Sequence, residues 1–89
     1  MTRMAGAFGD EIAFDEEDED VRGLLTPSIT AEINGIVGNG DIRIVSYRKQ
    51  VVAGTNFLFN LKVGEKNAIA KIFVPLPHTK RGPELLECK

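Results

Sequence analysis

The stretch Gln50-Val51-Val52-Ala53-Gly54-Thr55-Asn56 (QVVAGTN, residues 50–56) decides the fold, because it lies between two segments that alternate like β-strands. Before it, alternation divides the chain between two faces, with Ile42, Ile44, Ser46 and Arg48 on one face and Arg43, Val45, Tyr47 and Lys49 on the other. After it, one face carries Phe57, Phe59, Leu61 and Val63. Because a period of two is typical of half-buried strands, we predict a β-hairpin whose tip is formed by residues 51–54.

The predicted tip is apolar, although most hairpin tips carry Asn, Asp or Ser. If Val51, Val52 and Ala53 are exposed, they leave apolar surface in water, and such surface usually marks a contact site. The alternative is an ordinary tight turn at Ala53-Gly54, in which the valines pair as strand residues. The residue pattern alone favours neither interpretation.

Residues 50–54, followed by Thr55 and Asn56, resemble the first inhibitory hairpin of the cystatin superfamily, whose members are reversible protein inhibitors of papain-like cysteine proteases. Residues 74–78 (Val-Pro-Leu-Pro-His) are similar to the second inhibitory hairpin of these proteins. Within them, Leu-Pro-His is similar to the stefins (type 1 cystatins), the intracellular branch. Stefins lack the Pro-Trp pair of secreted cystatins, and this chain contains no Trp.

Family members also carry a glycine near the N-terminus, preceded by residues that occupy the unprimed pockets of the protease. Met4-Ala5-Gly6 resembles this element, and Gly9 is the alternative position for the glycine. If Gly9 is the pivot, Phe8 enters those pockets. The resemblance therefore implies a protease-binding set formed by Met4, Ala5, Gly6, Gln50, Val51, Val52, Ala53, Gly54, Leu76, Pro77 and His78.

The resemblance implies reversible, tight-binding, competitive inhibition, in which the N-terminal arm and the two hairpin loops form a wedge that enters the active-site cleft. The expected partners are papain-like cysteine proteases of the cathepsin type. The alternative is a non-inhibitory protein-interaction module on the same fold. A third expectation concerns self-association, because exposed hairpin valines favour a domain-swapped dimer in which the loop straightens. We expect a monomer, with the swapped dimer as the alternative state.

A helix is indicated upstream of the first long strand. Apolar residues recur at four-residue intervals, which is typical of a helix lying on an apolar surface; they are Val21, Leu25, Ile29, Ile33 and Val37. Pro27 counts against one continuous helix because it lacks an amide hydrogen. Either Pro27 bends one long helix, or Thr26 caps a shorter helix that has Pro27 in its first turn.

The remainder of the chain predicts further strands. Ala68–Val74 alternates, with Ile69 and Phe73 on one face, and the prolines of residues 75–83 forbid ladder pairing there. Residues 84–89 are short enough for an edge strand. The predicted fold is therefore α+β and cystatin-like, with one helix packed across a four- or five-stranded antiparallel sheet. We expect a single domain over residues 1–89, with residues 1–14 as a flexible N-terminal arm.

Charge is distributed unevenly along the chain. Residues 1–20 contain eight acidic residues and one arginine, whereas residues 21–89 contain ten basic and five acidic residues. We interpret the acidic run Asp15–Asp20 as a solvated segment in which a helix begins. The run lacks the alternating ligands and the central glycine of a calcium loop, and the basic residues are scattered. We therefore expect no metal and no nucleic acid partner.

A catalytic role is not expected. Cys88 and His78 are the only thiol and imidazole, but Cys88 is the penultimate residue and no third orienting group is evident. We predict that the protein is not an enzyme and needs no cofactor. One cysteine cannot form an intrachain disulfide, and no apolar run approaches the roughly 20 residues that span a bilayer. We expect a cytoplasmic protein with no membrane partner.

Overall fold

The computed structural model describes residues 8–89, which form one antiparallel sheet and two helices. The helices are α1 (Glu19–Arg22) and α2 (Pro27–Val37), and the strands are β1 (Ile12–Ala13), β2 (Ile42–Val52), β3 (Gly54–Val63), β4 (Lys66–Val74) and β5 (Glu84–Cys88). The five strands lie in the order β1-β2-β3-β4-β5, so each strand pairs with its neighbours in the chain. This architecture confirms the predicted cystatin-like α+β fold.

The main helix begins at Pro27, as the shorter of the two alternatives predicts. The hydroxyl oxygen of Thr26 accepts a hydrogen bond from the backbone N–H of Ile29 at 3.2 Å, so Thr26 caps α2. Pro27 fits the first turn because an amide at that position has no partner within the helix. Upstream, α1 is a single turn that begins inside the acidic run, and Asp18 caps it by accepting from the N–H of Val21.

The hydrophobic core lies between α2 and one face of the sheet, which we call the core face. Its buried residues are Val21, Ile29, Ile33, Tyr47, Phe57, Phe59, Leu61, Val63, Ala68, Ala70 and Ile72. The predicted inward set of β3 is confirmed, since Phe59 and Leu61 are almost completely buried. Helix α2 lies against β4 and β5, and its exposed Ile36 faces away from the core. No helix in residues 8–89 has the length and apolar character needed to cross a membrane.

A β-bulge at Val45 changes the faces of β2 from those predicted. Ile44 pairs with Leu61 and Ser46 with Asn60, so Val45 is an additional residue without a partner on β3. The prediction is correct for Ile42 and Ile44 but wrong from Ser46 onward. Tyr47 points into the core, and Ser46 and Arg48 lie on the opposite, outer face of the sheet. The reason is that one additional residue shifts the alternation by one position.

The beginning of the described chain is paired with the sheet, contrary to the expectation for residues 9–14. The N–H of Gly9 donates to the carbonyl oxygen of Lys49 at 2.8 Å, and the N–H of Phe14 donates to that of Val45 at 3.1 Å. Residues 9–14 of the predicted arm are therefore paired with β2. The pairing satisfies backbone groups at the edge of β2 that would otherwise be open. Residues 1–7 lie outside the described residues.

The last strand confirms the predicted edge strand. Strand β5 pairs with β4, with Glu84 opposite Phe73 and Cys88 opposite Ala70. Between the two strands, residues 75–83 form a loop with one 3-10 turn at Pro77–Thr79, and they contain no strand. The loop leaves the sheet where β4 ends at Val74. The position of Val74 determines how far the loop lies from the β2–β3 hairpin.

Two isoleucines of β4 provide a direct test of the sheet faces. Ile72 is completely buried, whereas Ile69 is 42% exposed on the outer face. We expect Ile72→Ala to lower the free energy of unfolding by roughly 2–5 kcal/mol, because it removes buried atoms and leaves a cavity. Ile69→Ala should cost less than about 1 kcal/mol. Urea denaturation measures both values, and equal losses would contradict the assignment of the faces.

Candidate functional site

The two loops that resemble inhibitory hairpins lie side by side. Thr55 of β3 pairs with Val51 of β2 and also with Val74 of β4. The tip of the β2–β3 hairpin is therefore next to the point where the β4–β5 loop begins. We call residues 51–54 and 76–78 together the loop edge. The structure thus brings together the eight predicted residues from Gln50 to Gly54 and from Leu76 to His78.

The loop edge is apolar and exposed. Val51 is 75% exposed, Val52 44% and Leu76 39%, and Ala53, Pro77 and His78 are exposed as well. Val51 and Val52 pair with β3 as strand residues, and their side chains are also exposed to solvent. Adjacent exposed apolar side chains on a small protein are typical of a surface that binds another protein.

Gly54 differs from the other residues of the first tip because it is buried. Its φ of 119° lies in a region that favours glycine. A Cβ atom at this position would lie 2.6 Å from the carbonyl oxygen of Val74 and 2.9 Å from two ring carbons of Phe73. The absence of a side chain therefore lets the hairpin tip lie directly against the end of β4. Gly54 is buried, but it determines how the exposed residues of the first tip are placed.

Both tips are held by local hydrogen bonds. At the base of the first tip, the side-chain oxygen of Gln50 accepts from the Asn56 amide at 2.8 Å, across the β2–β3 pair. In the second loop, the hydroxyl and the N–H of Thr79 donate to the carbonyl oxygen of Leu76 at 2.7 and 3.0 Å. An ion pair between Arg81 and Glu84 lies where the loop enters β5. These contacts limit the conformations that the tips can adopt in the free protein.

The N-terminal candidates fall on either side of the boundary of the described residues. Met4, Ala5 and Gly6 lie outside them, whereas Gly9 is bonded to Lys49, three residues before Val52. The guanidinium of Arg48 also donates to the carbonyl oxygen of Gly9 at 3.1 Å. Sequence reasoning missed this attachment because so short a pairing produces no periodic pattern. A Cβ atom at Gly9 would make only ordinary contact, 3.7 Å from the Lys49 oxygen.

The candidate nucleophile, Cys88, and the candidate base, His78, are not brought together. His78 lies in the loop before β5, and Cys88 lies at the end of β5, so the length of the strand separates them. Burial raises the pKa of the Cys88 thiol, which opposes formation of the thiolate. The arrangement therefore lacks the contact between base and nucleophile that covalent catalysis requires.

Substitution of two glycines separates conformational strain from helix propensity. We expect Gly54→Ala to lower the free energy of unfolding by about 1–3 kcal/mol, because the new Cβ would collide with Val74 and Phe73. Gly35→Ala is the control, since Gly35 lies in α2 and has nothing within 4 Å of its Cβ position. That change should stabilise the protein by about 0.5–1 kcal/mol. Loss of stability only at Gly54, measured by urea denaturation, would agree with the structure, whereas a neutral Gly54→Ala would contradict it.

The core beneath the first tip should be sensitive to alkali. Burial raises the pKa of Tyr47 above its ordinary value, and the negative charge of Asp18 raises it further. Since the folded state favours the neutral phenol, stability is retained below a pH of about 10 and is lost as the pH rises through the folded-state pKa. Tyr47→Phe should remove this component, so that the stability of the variant relative to the natural protein increases above pH 10.

Tyr47 is the only tyrosine and the chain has no Trp, so tyrosinate absorbance reports on this residue alone. We expect its ionisation midpoint to be higher in the folded protein than in urea. Identical midpoints in the two states would contradict the burial of the phenol.

Comparison with known protein families agrees with the fold. The family model for the Cystatin domain matches residues 41–89, which is more than half of the chain. The matched part contains β2 to β5 and the whole loop edge. No curated protein matches the chain in sequence. The family match over most of the sheet and both loops shows that this chain belongs to the cystatin superfamily, a family of cysteine protease inhibitors.

Proposed function

We propose that this protein is a reversible, tight-binding, competitive inhibitor of papain-like cysteine proteases, and that it inserts the loop edge into the active-site cleft. The observation that carries the proposal is the adjacent position of two exposed apolar tips, which follows from the double pairing of Thr55 with Val51 and Val74. Membership of the cystatin superfamily supports the class of partner. The proposed contacts are Val51, Val52 and Ala53 on the first tip and Leu76, Pro77 and His78 on the second.

Burial of the apolar tips supplies the favourable free energy of binding in this proposal. Each Å² of apolar surface removed from water contributes about 25 cal/mol, and this gain is reduced by the costs of association and ordering. The costs are lower when the contacting loops are already held in place. Here Gly54 packs against Val74, and Thr79 is bonded to Leu76, so little ordering remains to be done on binding.

Inhibition of this kind leaves the inhibitor intact. The wedge offers side chains to the cleft, and it need not offer a peptide bond to the thiolate of the protease. Competition with substrate follows because the wedge and the substrate would occupy the same cleft. The chain itself supplies no nucleophile in this scheme, in agreement with the raised pKa of the Cys88 thiol and its separation from His78.

We further propose that the protein is of the stefin type and acts in the cytoplasm on proteases of the cathepsin type. The Leu-Pro-His sequence of the second tip and the absence of Trp support this narrower assignment. The lone cysteine agrees with a reducing compartment, in which disulfides rarely form. We propose that the monomer is the inhibitory state, because a swapped dimer with a straightened β2–β3 hairpin would remove the first tip from the loop edge.

Val51 is the best position at which to test the proposal, because it is 75% exposed and its substitution should leave the fold intact. Val51→Asp would bury a carboxylate without a partner in the complex, and we expect it to raise the inhibition constant on the order of a hundredfold. Ile36→Asp is the control, since Ile36 is 57% exposed and lies on α2, outside both loops. It should leave inhibition unchanged.

The measurement is steady-state inhibition of papain by the size-separated monomer. We expect competitive, fully reversible inhibition with a constant below about 1 μM. No inhibition by the folded monomer at high micromolar concentration would refute the proposal and favour the non-inhibitory interaction module. Gly54 is a poorer test position, because its substitution is expected to disturb the hairpin itself and would confound loss of binding with loss of structure.

A further inference from the structure

A polar cluster lies on the outer face of the sheet, away from the hydrophobic core. The carboxylate of Glu11 accepts hydrogen bonds from the hydroxyl of Ser46 and, at 3.3 Å, from the side-chain amide of Asn60. Asn60 also donates to the hydroxyl oxygen of Ser46 at 2.9 Å. The three side chains form a closed triangle that joins the N-terminal segment to β2 and β3. We call Glu11, Ser46 and Asn60 the latch.

The latch has features that distinguish it from an incidental surface contact. Ser46 is only 4% exposed, and its hydroxyl group is satisfied both as a donor and as an acceptor within the triangle. Hydrogen bonds to an ionised carboxylate are stronger than those between neutral groups. Loss of Glu11 would leave the buried hydroxyl without its acceptor, which is unfavourable for a group shielded from water.

Two more contacts hold the residues just before Glu11. The Arg48 guanidinium donates to the carbonyl oxygen of Gly9 at 3.1 Å. The Lys71 ammonium lies 5.8 Å from the centre of the Phe8 ring, within the range of a cation–π interaction. Arg48 and Lys71 are both cross-strand neighbours of Leu58, so they lie in one row on the outer face. Residues 8–11 are therefore attached to three strands.

The attachment determines where the remaining N-terminal residues begin. Gly9 is bonded to Lys49, which lies three residues before Val52 of the loop edge. Gly9 is therefore held at a fixed point near the first tip. If the latch were absent, residues 8–11 would be held by fewer contacts, and more of their conformational entropy would be lost only when the protease binds.

We infer that Glu11 is a positioning residue, whose carboxylate, held by Ser46 and Asn60, fixes Phe8 and Gly9 on the sheet near the loop edge in the free protein. Glu11 acts through the N-terminal residues and touches no protease atom itself. This inference rests on the proposed inhibitory function. It identifies the outer face of the sheet, and not the loop edge alone, as a determinant of affinity.

The inference is tested with three variants of the full chain in the papain assay. Glu11→Ala should raise the inhibition constant about tenfold. This is the expected cost if the variant must order the backbone of roughly one additional residue when it binds the protease. Glu11→Gln retains an acceptor oxygen for Ser46 and should restore most of the affinity. Glu16→Ala removes the same charge from an exposed carboxylate outside the latch, and it should have no effect.

A double-mutant cycle with Met4→Ala separates positioning from a general structural role. Met4 is a candidate for direct contact with the protease, so Met4→Ala should weaken inhibition by itself. Once that contact is removed, Glu11→Ala should cost about twofold or less, because little remains for the latch to position. Equal effects of Glu11→Ala in the two backgrounds would overturn the inference, and so would an unchanged inhibition constant for Met4→Ala.

Hydrogen exchange of the Gly9 amide gives a readout that needs no protease. This amide is bonded to Lys49 in the natural protein, and Glu11→Ala should increase its exchange rate tenfold or more while the core amides of β3 stay protected. An unchanged exchange rate of the Gly9 amide would contradict the claim that Glu11 holds this segment on the sheet, and would overturn the inference. Faster exchange with an unchanged inhibition constant would show that the latch exists but does not position the arm, and would also overturn the inference. If the natural protein does not inhibit papain, the proposed function fails and the positioning role fails with it.

Discussion

The pairing of β3 with both of its neighbours is the constraint on which the rest of the structure depends. Phe57, Phe59, Leu61 and Val63 lie in one row on the core face, and their burial holds this strand at the centre of the sheet. Once β3 is fixed, the β2–β3 turn and the end of β4 must lie at the same end of the sheet, because antiparallel neighbours meet there. The adjacent position of the two loop tips is therefore a consequence of core burial. No direct contact between the exposed side chains is needed to bring the tips together.

The part of this arrangement that sequence could predict is the part governed by local periodicity. The alternation of β3 and β4 has no interruption, and both strands have the faces that a period of two predicts. On β2 the same reasoning fails at Ser46, since a bulge at Val45 is a response to the neighbouring strand and leaves no mark on the local pattern. The start of α2 was an open choice for a related reason. Pro27 was compatible with a bend or with a cap, and only the hydrogen bond from the Ile29 N–H to Thr26 distinguishes them.

The candidate site shows the same division between local and distant information. The apolar character of residues 51–53 is visible in the sequence, and so is the resemblance to the first inhibitory hairpin of the cystatins. The burial of Gly54 is not visible, because it depends on Val74, which lies 20 positions further along the chain. The contacts of Glu11 with Ser46 and Asn60 span 35 and 49 positions and involve residue types that are common on any surface. Polar contacts of this kind have no period and no motif, so only the folded chain shows them.

The three regions of the sheet have separable roles, and this separation has a physical origin. The core face supplies stability through apolar burial, the loop edge exposes apolar surface at a small conformational cost, and the outer face holds the N-terminal segment through polar contacts. Apolar side chains such as Val51 are tolerated in water because the well-buried residues of β3 and β4 compensate for their exposure. A protein of 89 residues has only one core to provide this compensation. The exposed apolar surface must therefore stay small, and affinity must come from holding that surface rigid as well as from its area. In the proposed function, Gly54, Thr79 and the latch all act in this way, since each one orders a segment of the proposed contact surface before a partner binds.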